Sequence, residues 1–578
     1  MTDRIEGEAS EWRERPWIMA AVGAAGGLVV HLLTDGLTYA PVPTFGTILR
    51  QSVAAGVGIG TVTFLITAER RRLAWATGFA VAWGLIMALV GYSTGAYNRG
   101  GELVEFPFLS GLLAIAVASP LFQTLRDEGR KSLPYKQVHR YAWTDAIIGG
   151  ASLAFTGLTF LLAFLLSALF DAIGIPFLKD LMGEGWFNWM MAGAAFGAAS
   201  AVLRERDPLL GTLQRLVMLV FSVLAPVLAG ALAIYLIALP VTGFGGLWKS
   251  GLPETPLLLS TAAFAVVFLN AIIGDSPDDR SSGRLWRIAE GVLLFAVLPL
   301  GVLALVSMSL RVGQYGWTPE RLWGVIACLI AIAYGAAAWW AGIRGRGAFD
   351  VRLRESQKWL AVGLCALALF LALPILDFGS ISARSQLARL ESGKVKAEQF
   401  DWAAMAFDFG PAGRKALERI ARTGPADRRE LAGTALKTDN RWAIARQADI
   451  VENSVGIEQR VRLLSPDIQW SDELKRRVSE RGTCSEGMQC ALIRVAPDQL
   501  MLLTSHRTGN YLSASMVDLK QRPAEQSRPD VMVPAMPVSG TDNVKADLGK
   551  AQVEIRQETV SRVYVDGKPV GPAVPINR

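Results

Sequence analysis

Long apolar segments alternate with short polar connections through the first two-thirds of this 578-residue chain and thin out after about residue 377. Segments of about 20 apolar residues cross a bilayer as helices, so the pattern predicts an α-helical polytopic membrane protein with about 11 transmembrane helices. A C-terminal soluble α+β domain follows. The predicted spans are residues 17–36, 49–68, 73–92, 106–125, 146–170, 187–203, 213–239, 255–274, 286–308, 321–343 and 358–377.

The sixth predicted span, residues 187–203, is short and determines the topology. An odd number of crossings puts the two ends of the chain on opposite sides of the membrane. Loss of this one span would place the C-terminal region on the same side as the N-terminus.

The distribution of positive charge predicts the orientation. The chain is 51% hydrophobic and only 19% charged, a balance typical of membrane proteins. One alternate set of connections holds 22 Lys and Arg residues and the opposite set holds 6. Because basic loops stay inside, the N-terminus is predicted to be cytoplasmic. The predicted parts are a cytoplasmic tail (1–16), the helical bundle (17–377), a periplasmic helical region (378–482) and a periplasmic β-rich region (483–578).

Four polar residues inside or beside the spans are candidate intramembrane sites, because polar groups in bilayers are costly and often functional. His31 and Asp35 lie one turn apart at the end of the first span, where they could handle a proton. Asn270 lies in the eighth span. Glu290 lies in the ninth, where a structural salt bridge with Arg287 is the alternative. The centre of the membrane lacks a chain of carboxylates, which disfavours an ion-driven pump.

Glycines in the first two spans predict close contacts between helices. Gly23, Gly26 and Gly27 lie in the first span, and Gly56 and Gly60 in the second. Small residues at this spacing let backbones approach each other. The contacts belong either to ordinary packing within the bundle or to a dimer interface.

The connection after the ninth span, Arg311 to Arg321, has strong local signals. Thr318 is a good helix N-cap and Pro319 suits the first helical position, so a tight turn is expected at Gly316. Arg311, Tyr315 and Arg321 form a candidate site for an anionic headgroup, phosphate or carboxylate. A loop that only starts a helix is the alternative.

The pattern Tyr315-Gly316-x-Thr318-x-x-Arg321 between two apolar helices, together with Ile381-Ser-Ala-Arg-Ser-Gln386 and Phe400-Asp401, resembles a family of bacterial inner-membrane proteins. The family is catalogued as domain of unknown function 4153. The resemblance covers roughly residues 20–480 and implies a multi-pass protein of the bacterial inner membrane. It implies no activity.

The C-terminal region is predicted to be helical first and β-rich afterwards. Helices are expected at Ala412–Arg422 and after Ser471, and a hairpin is expected around Asp566-Gly567. The predicted strands are Cys490–Val495, Gln499–Thr504, Tyr511–Leu519, Gln552–Glu558 and Arg562–Val565.

The four cysteines fall into two pairs. Cys328 and Cys365 lie in spans and should behave as small apolar residues. Cys484 and Cys490 are alone in the C-terminal region, where an oxidising periplasm favours a disulfide. Two free thiols are the alternative, since a metal site needs more ligands.

The sequence has no P-loop, HExxH or CxxC motif, and it predicts no cofactor, no metal and no nucleic-acid partner. Three functions remain open. The first is an envelope binding, assembly or regulatory component whose periplasmic domain meets a protein or an envelope polymer. The second is a transporter or lipid-handling protein that binds anionic lipid. The third is a membrane-embedded transferase on a lipid-linked substrate, which requires Arg311, Arg321 and a carboxylate from Glu102, Glu105 or Glu320 to share one cavity. On balance the chain is expected not to be an enzyme.

Overall fold

The fold is described from a computed structural model of the chain. The described residues are 12–37, 44–95, 102–129, 132–243, 253–274, 283–345, 349–438, 440–441, 443–444, 456–481, 484, 488–506, 512–519, 560–565 and 568–575. Two compact units are present. One comprises Met1–Ser392 with Ala404–Pro425, and the other comprises Gly393–Ala403 with Ala426–Arg578.

The first unit is a bundle of helices. Its first twelve are α1 (Arg15–Thr34), α2 (Phe45–Thr67), α3 (Leu73–Gly95), α4 (Glu102–Glu128), α5 (Tyr135–Ala172), α6 (Phe177–Gly183), α7 (Gly185–Glu205), α8 (Asp207–Thr242), α9 (Glu254–Ile273), α10 (Arg284–Tyr315), α11 (Pro319–Gly345) and α12 (Phe349–Ala372). Leu269, Leu293 and Leu300 are fully buried where α8 to α11 pack together.

Each of the eleven predicted spans coincides with one of these helices, and only the short α6 has no predicted counterpart. Within the described part of the chain, ten helices are long and apolar enough to cross a membrane. The protein is therefore a multi-pass membrane protein in contact with the lipid bilayer. The predicted span at 187–203 forms helix α7, but α7 is not among the ten, so the predicted count of eleven differs from the structure here.

Helix α7 runs antiparallel to α1 along its whole length. Gly197 packs on the backbone of Met19, Gly193 on that of Gly23, and Trp189 contacts Gly27. A Cβ atom on Gly23 or Gly193 would lie far inside van der Waals contact with the opposite carbonyl group. This tight packing explains the glycines of α7, because small residues let helix backbones approach closely.

Helices α2 and α3 are also packed closely. A Cβ atom on Gly56 would lie 2.5 Å from the Gly84 oxygen, and one on Gly60 would lie 3.2 Å from the Ala80 oxygen. The glycine face predicted in the second span is thus used within the bundle.

At the C-terminal end of α4, an ionic network around the buried Arg126 side chain joins α4 to α1 and to the end of α2. Arg126 donates to the Thr67 carbonyl oxygen at 2.8 Å, to Glu69 at 3.1 Å and to Asp127 at 2.7 Å. Arg15 donates to the Ala68 carbonyl oxygen at 2.7 Å. These arginines bind backbone carbonyl groups at the end of α2 and fix its turn into α3.

A neighbouring polar cluster connects this part of α4 to two further helices, α5 and α7. Gln123 of α4 donates to Asp145 of α5 at 2.5 Å and accepts from Arg204 of α7. The Arg204 and Asp145 side chains are each only 11% exposed. Buried charges are costly unless they are paired, so these contacts fix the relative positions of α4, α5 and α7.

Two further helices complete the first unit. They are α13 (Phe378–Glu391) and α14 (Gly410–Thr423), with a π-helical turn at Ala404–Asp408 between them. Asp377 caps α13 by accepting from the Ser380 backbone N–H at 2.9 Å. The predicted helix at Ala412–Arg422 is confirmed as α14.

The second unit combines short helices with a small sheet. Its helices are α15 (Ala426–Lys437), α16 (Ile457–Arg460) and α17 (Asp472–Arg481), and its strands are β1 (Val461–Leu463), β2 (Met488–Ala496), β3 (Gln499–His506), β4 (Leu512–Asp518), β5 (Val560–Val565) and β6 (Lys568–Pro575). Strands β1 to β4 form one sheet in that order, with only the β1–β2 pair parallel. Ser471 caps α17 by accepting from the Leu474 N–H at 3.1 Å.

The predicted hairpin is confirmed, because β5 and β6 pair antiparallel with Val565 opposite Lys568. Three other predicted strands correspond to β2, β3 and β4. The strand predicted at Gln552–Glu558 lies outside the described residues. The short parallel strand β1 was not predicted.

Candidate functional site

The connection between α10 and α11 forms the tight turn that its sequence predicts. Gly316 follows the last residue of α10 with φ +78°, a conformation that favours glycine. Thr318 accepts a hydrogen bond from the Arg321 N–H at 3.4 Å, and α11 begins at Pro319. The N-cap prediction is therefore confirmed.

Side chains of helix α13 form hydrogen bonds with backbone atoms of this turn. Gln386 donates to the carbonyl oxygens of Tyr315 at 2.9 Å and Trp317 at 3.0 Å. Ser385 accepts from the Trp317 N–H at 3.2 Å, and Arg389 donates to the Gln314 carbonyl oxygen. Two sequence patterns separated by about 70 residues thus meet in one structural unit.

The contact also explains why residue 316 is glycine. A Cβ atom there would lie 2.6 Å from Cδ of Arg389 and 2.9 Å from Nε2 of Gln386. A side chain would therefore be strained by the positive φ and would also displace α13.

Arg321 is positioned by the turn that precedes it. Its guanidinium group donates to the Gly316 carbonyl oxygen at 2.7 Å and lies 5.4 Å from the centre of the Tyr315 ring. A cation over an aromatic face is attracted by the electrons of the ring. Both contacts direct the charged end of Arg321 while leaving donor groups for another acceptor.

Arg311 is held by a carboxylate that the sequence did not indicate. Glu254 in the first turn of α9 accepts from Arg311 at 2.7 Å, and its side chain is only 7% exposed, against 48% for Arg311. Glu254 falls in a predicted loop just before the eighth span, and its proximity to Pro253 is its only local signal. The long-range pairing could not be inferred from one sequence.

Arg311 and Arg321 line one cavity of about 460 Å³ at this end of the bundle. Glu320 and Trp323 belong to the same wall. The remaining wall is mainly apolar and is formed by Phe106, Pro253, Thr255, Pro256, Leu259, Met308, Gly324 and Ala327. Two cationic groups beside an apolar surface make a site suited to a ligand with an anionic and an apolar part.

The three candidate carboxylates differ in position. Glu320 lines the cavity, whereas Glu105 is exposed on α4 and does not. The Glu102 side chain lies outside what the structure describes. The condition for a shared cavity is thus met by Arg311, Glu320 and Arg321.

The candidate intramembrane polar residues lie elsewhere. Half-buried His31 packs on Gly185 at the start of α7, and exposed Asp35 follows α1 and accepts from Arg50 through its carbonyl oxygen at 2.7 Å. Asn270 is half-buried in α9. Glu290 is 1% exposed in α10. None of these four lines the cavity.

The cysteines are placed as the sequence predicts. Cys484 and Cys490 form a disulfide within the core of the second unit, with Cα atoms 6.0 Å apart. Cys328 is buried in α11 and Cys365 is half-buried in α12. Among the described residues, no group of three or more His, Cys, Asp or Glu side chains could hold a metal ion.

These features define a multi-pass helical membrane protein with a largely apolar cavity, lined on one side by two arginines, at one end of its bundle. The chain belongs to the family described as domain of unknown function DUF4153, whose model matches residues 53–420 and so includes the cavity and the α13 contact. No curated protein matches the chain. No solved structure matches it either.

Proposed function

We propose that this protein is a lipid-handling protein that binds a phosphate-bearing headgroup in the cavity between α4, α9, α10 and α11. The observation that supports this most strongly is that Arg311 and Arg321 line the same cavity. Planar guanidinium groups match phosphate oxygens with paired, charge-assisted hydrogen bonds.

The shape and wall of the cavity also favour an amphiphilic ligand. Its volume lies within the range of about 300–1,000 Å³ found for small-molecule sites. Leu259, Met308 and Ala327 provide an apolar surface beside the two arginines. An acyl chain would lie on this surface while the headgroup meets the charged wall.

The location proposed for this site is the periplasmic side of the bacterial inner membrane. Phe106 and Arg126 lie at opposite ends of α4, about 30 Å apart, which is the thickness of a hydrocarbon core. The basic network at Arg126 belongs to the side predicted to be cytoplasmic. Because α7 follows α1 along its length, we count α7 as an eleventh crossing, with the C-terminal domain periplasmic.

A role through a periplasmic protein or envelope polymer remains the second proposal for the C-terminal domain. The disulfide in its core supports it, because disulfides persist in oxidising compartments. The lipid-handling proposal is placed before it because the cavity in the bundle brings together two arginines, whose guanidinium groups bind phosphate well.

A transferase acting on a lipid-linked substrate is the third proposal. It is favoured by one observation, the presence of Glu320 in the same cavity as both arginines. A carboxylate beside a bound phosphate could accept a proton from an attacking hydroxyl group.

Changing Arg321 to Gln tests the headgroup proposal. Loss of a charged hydrogen bond of about 1.5–3 kcal/mol is expected to weaken binding about tenfold or more. Native mass spectrometry of protein purified with its membrane lipids measures the retained phospholipid. Arg344→Gln, at an exposed position in the last turn of α11, is the control. Equal retention in both variants would contradict the proposal.

The disulfide tests the proposed orientation. In a Cys328→Ala, Cys365→Ala background, Cys484 and Cys490 are expected to resist a thiol-reactive mass tag in intact cells until reductant is added. Removing the bond by Cys484→Ser is expected to cost the second unit about 2 kcal/mol. Full tagging without reductant would argue against a periplasmic domain.

A further inference from the structure

The charges around the cavity are balanced between cations and anions. Arg311 and Arg321 provide two positive charges, and Glu254 and Glu320 provide two negative charges. A site that bound only negative charge would gain from an excess of cations. The equal number of positive and negative side chains therefore indicates that the ligand carries a positive group as well as a phosphate.

The two carboxylates have different roles. Glu254 is buried and bonded to Arg311 at 2.7 Å, so its charge is already met within the protein. Glu320 is exposed on the cavity wall, and in the described structure no Lys, Arg or His side chain lies within ion-pair distance of it. Its oxygens are available to a donor from outside the chain.

The Glu320 and Arg321 side chains both line the same cavity of about 460 Å³. A single headgroup can therefore reach both side chains. The pair would suit a ligand that carries a phosphate and a nearby protonated amine, because the phosphate can meet Arg321 while the amine meets Glu320.

We infer that the cavity selects a zwitterionic phospholipid with a primary amine, of the phosphoethanolamine type. Its phosphate binds Arg321 with support from Arg311, and its ammonium group donates to Glu320. This inference rests on the proposed function. A purely anionic headgroup would leave Glu320 unmatched, and a quaternary ammonium group has no N–H to donate.

The test uses the full-length protein, stripped of lipid and returned to nanodiscs of defined composition. Binding of phosphatidylethanolamine, phosphatidylglycerol and phosphatidylcholine is compared by native mass spectrometry. The wild type is expected to prefer phosphatidylethanolamine by about two- to fivefold, the range for an exposed ion pair. Glu320→Gln is expected to remove this preference, while Glu105→Gln, at an exposed position outside the cavity, keeps it.

The outcomes separate this inference from the proposed function. Equal binding of the three lipids, or an unchanged preference in Glu320→Gln, would overturn the amine selectivity while headgroup binding stands. If no lipid binds the wild type better than Arg321→Gln, the proposed function itself fails. If soluble phosphoethanolamine displaces the lipid at equal concentration, the lipid is not the preferred source of this headgroup.

Discussion

Changing Gly193 to alanine is expected to destabilise the bundle by about 1–3 kcal/mol or more, the range for overpacking a close contact. Gly193 lies against the Gly23 carbonyl group, and Gly23 lies against the Gly193 carbonyl group. A methyl group there must push α7 away from α1. That displacement would also disturb the contacts at Gly27 and Gly197.

The matched control for this change is Gly157→Ala in α5. Gly157 is also helical, but nothing lies within 4 Å of the position its Cβ would take. Alanine there gains up to about 1 kcal/mol of helix propensity. Thermal unfolding of both variants in the same nanodiscs measures the difference. Equal stability of the two variants would show that α1 and α7 are not packed this closely.

Changing Arg126 to Gln is expected to lower the stability of the bundle by about 3 kcal/mol, because several hydrogen bonds to a charged group are lost together. The Arg126 side chain is only 2% exposed and bonds Glu69, Asp127 and the Thr67 carbonyl oxygen. Without it, the buried Thr67 carbonyl oxygen loses its donor, and Glu69 and Asp127 each lose an ion-pair partner.

Arg344→Gln is the control for this prediction as well, since Arg344 is exposed at the end of α11. The yield of monodisperse protein and the unfolding temperature are the measurements. Arg126→Gln should lower both, and Arg344→Gln should lower neither. An Arg126 variant that unfolds like the control would mean that the network contributes little to stability.

The helices could be predicted from the sequence because a segment that crosses a bilayer needs about 20 mainly apolar residues. Each of the eleven predicted spans corresponds to a helix, although α5 begins 11 residues and α12 begins 9 residues before the predicted bounds. Helix α7 is less apolar than the other predicted spans, and glycines occupy its close contacts with α1. The glycines of α1 predicted a close contact, but nothing local identified Gly193 as the residue opposite Gly23.

The candidate site was predictable only where local rules govern it. The turn at Gly316 and the cap at Thr318 follow from residue type within a few positions. The pairing of Arg311 with Glu254 and the contact of Gln386 with the turn join residues 57 and about 70 positions apart. Such contacts depend on how helices pack, which a single sequence does not specify.

The most direct test of the headgroup site is an experimental structure of the protein in nanodiscs made from native membranes. We expect density for a phosphate within hydrogen-bond distance of Arg321, near Arg311, with an acyl chain along Leu259 and Met308. A cavity that holds only water, or one closed by the protein's own side chains, would contradict this expectation.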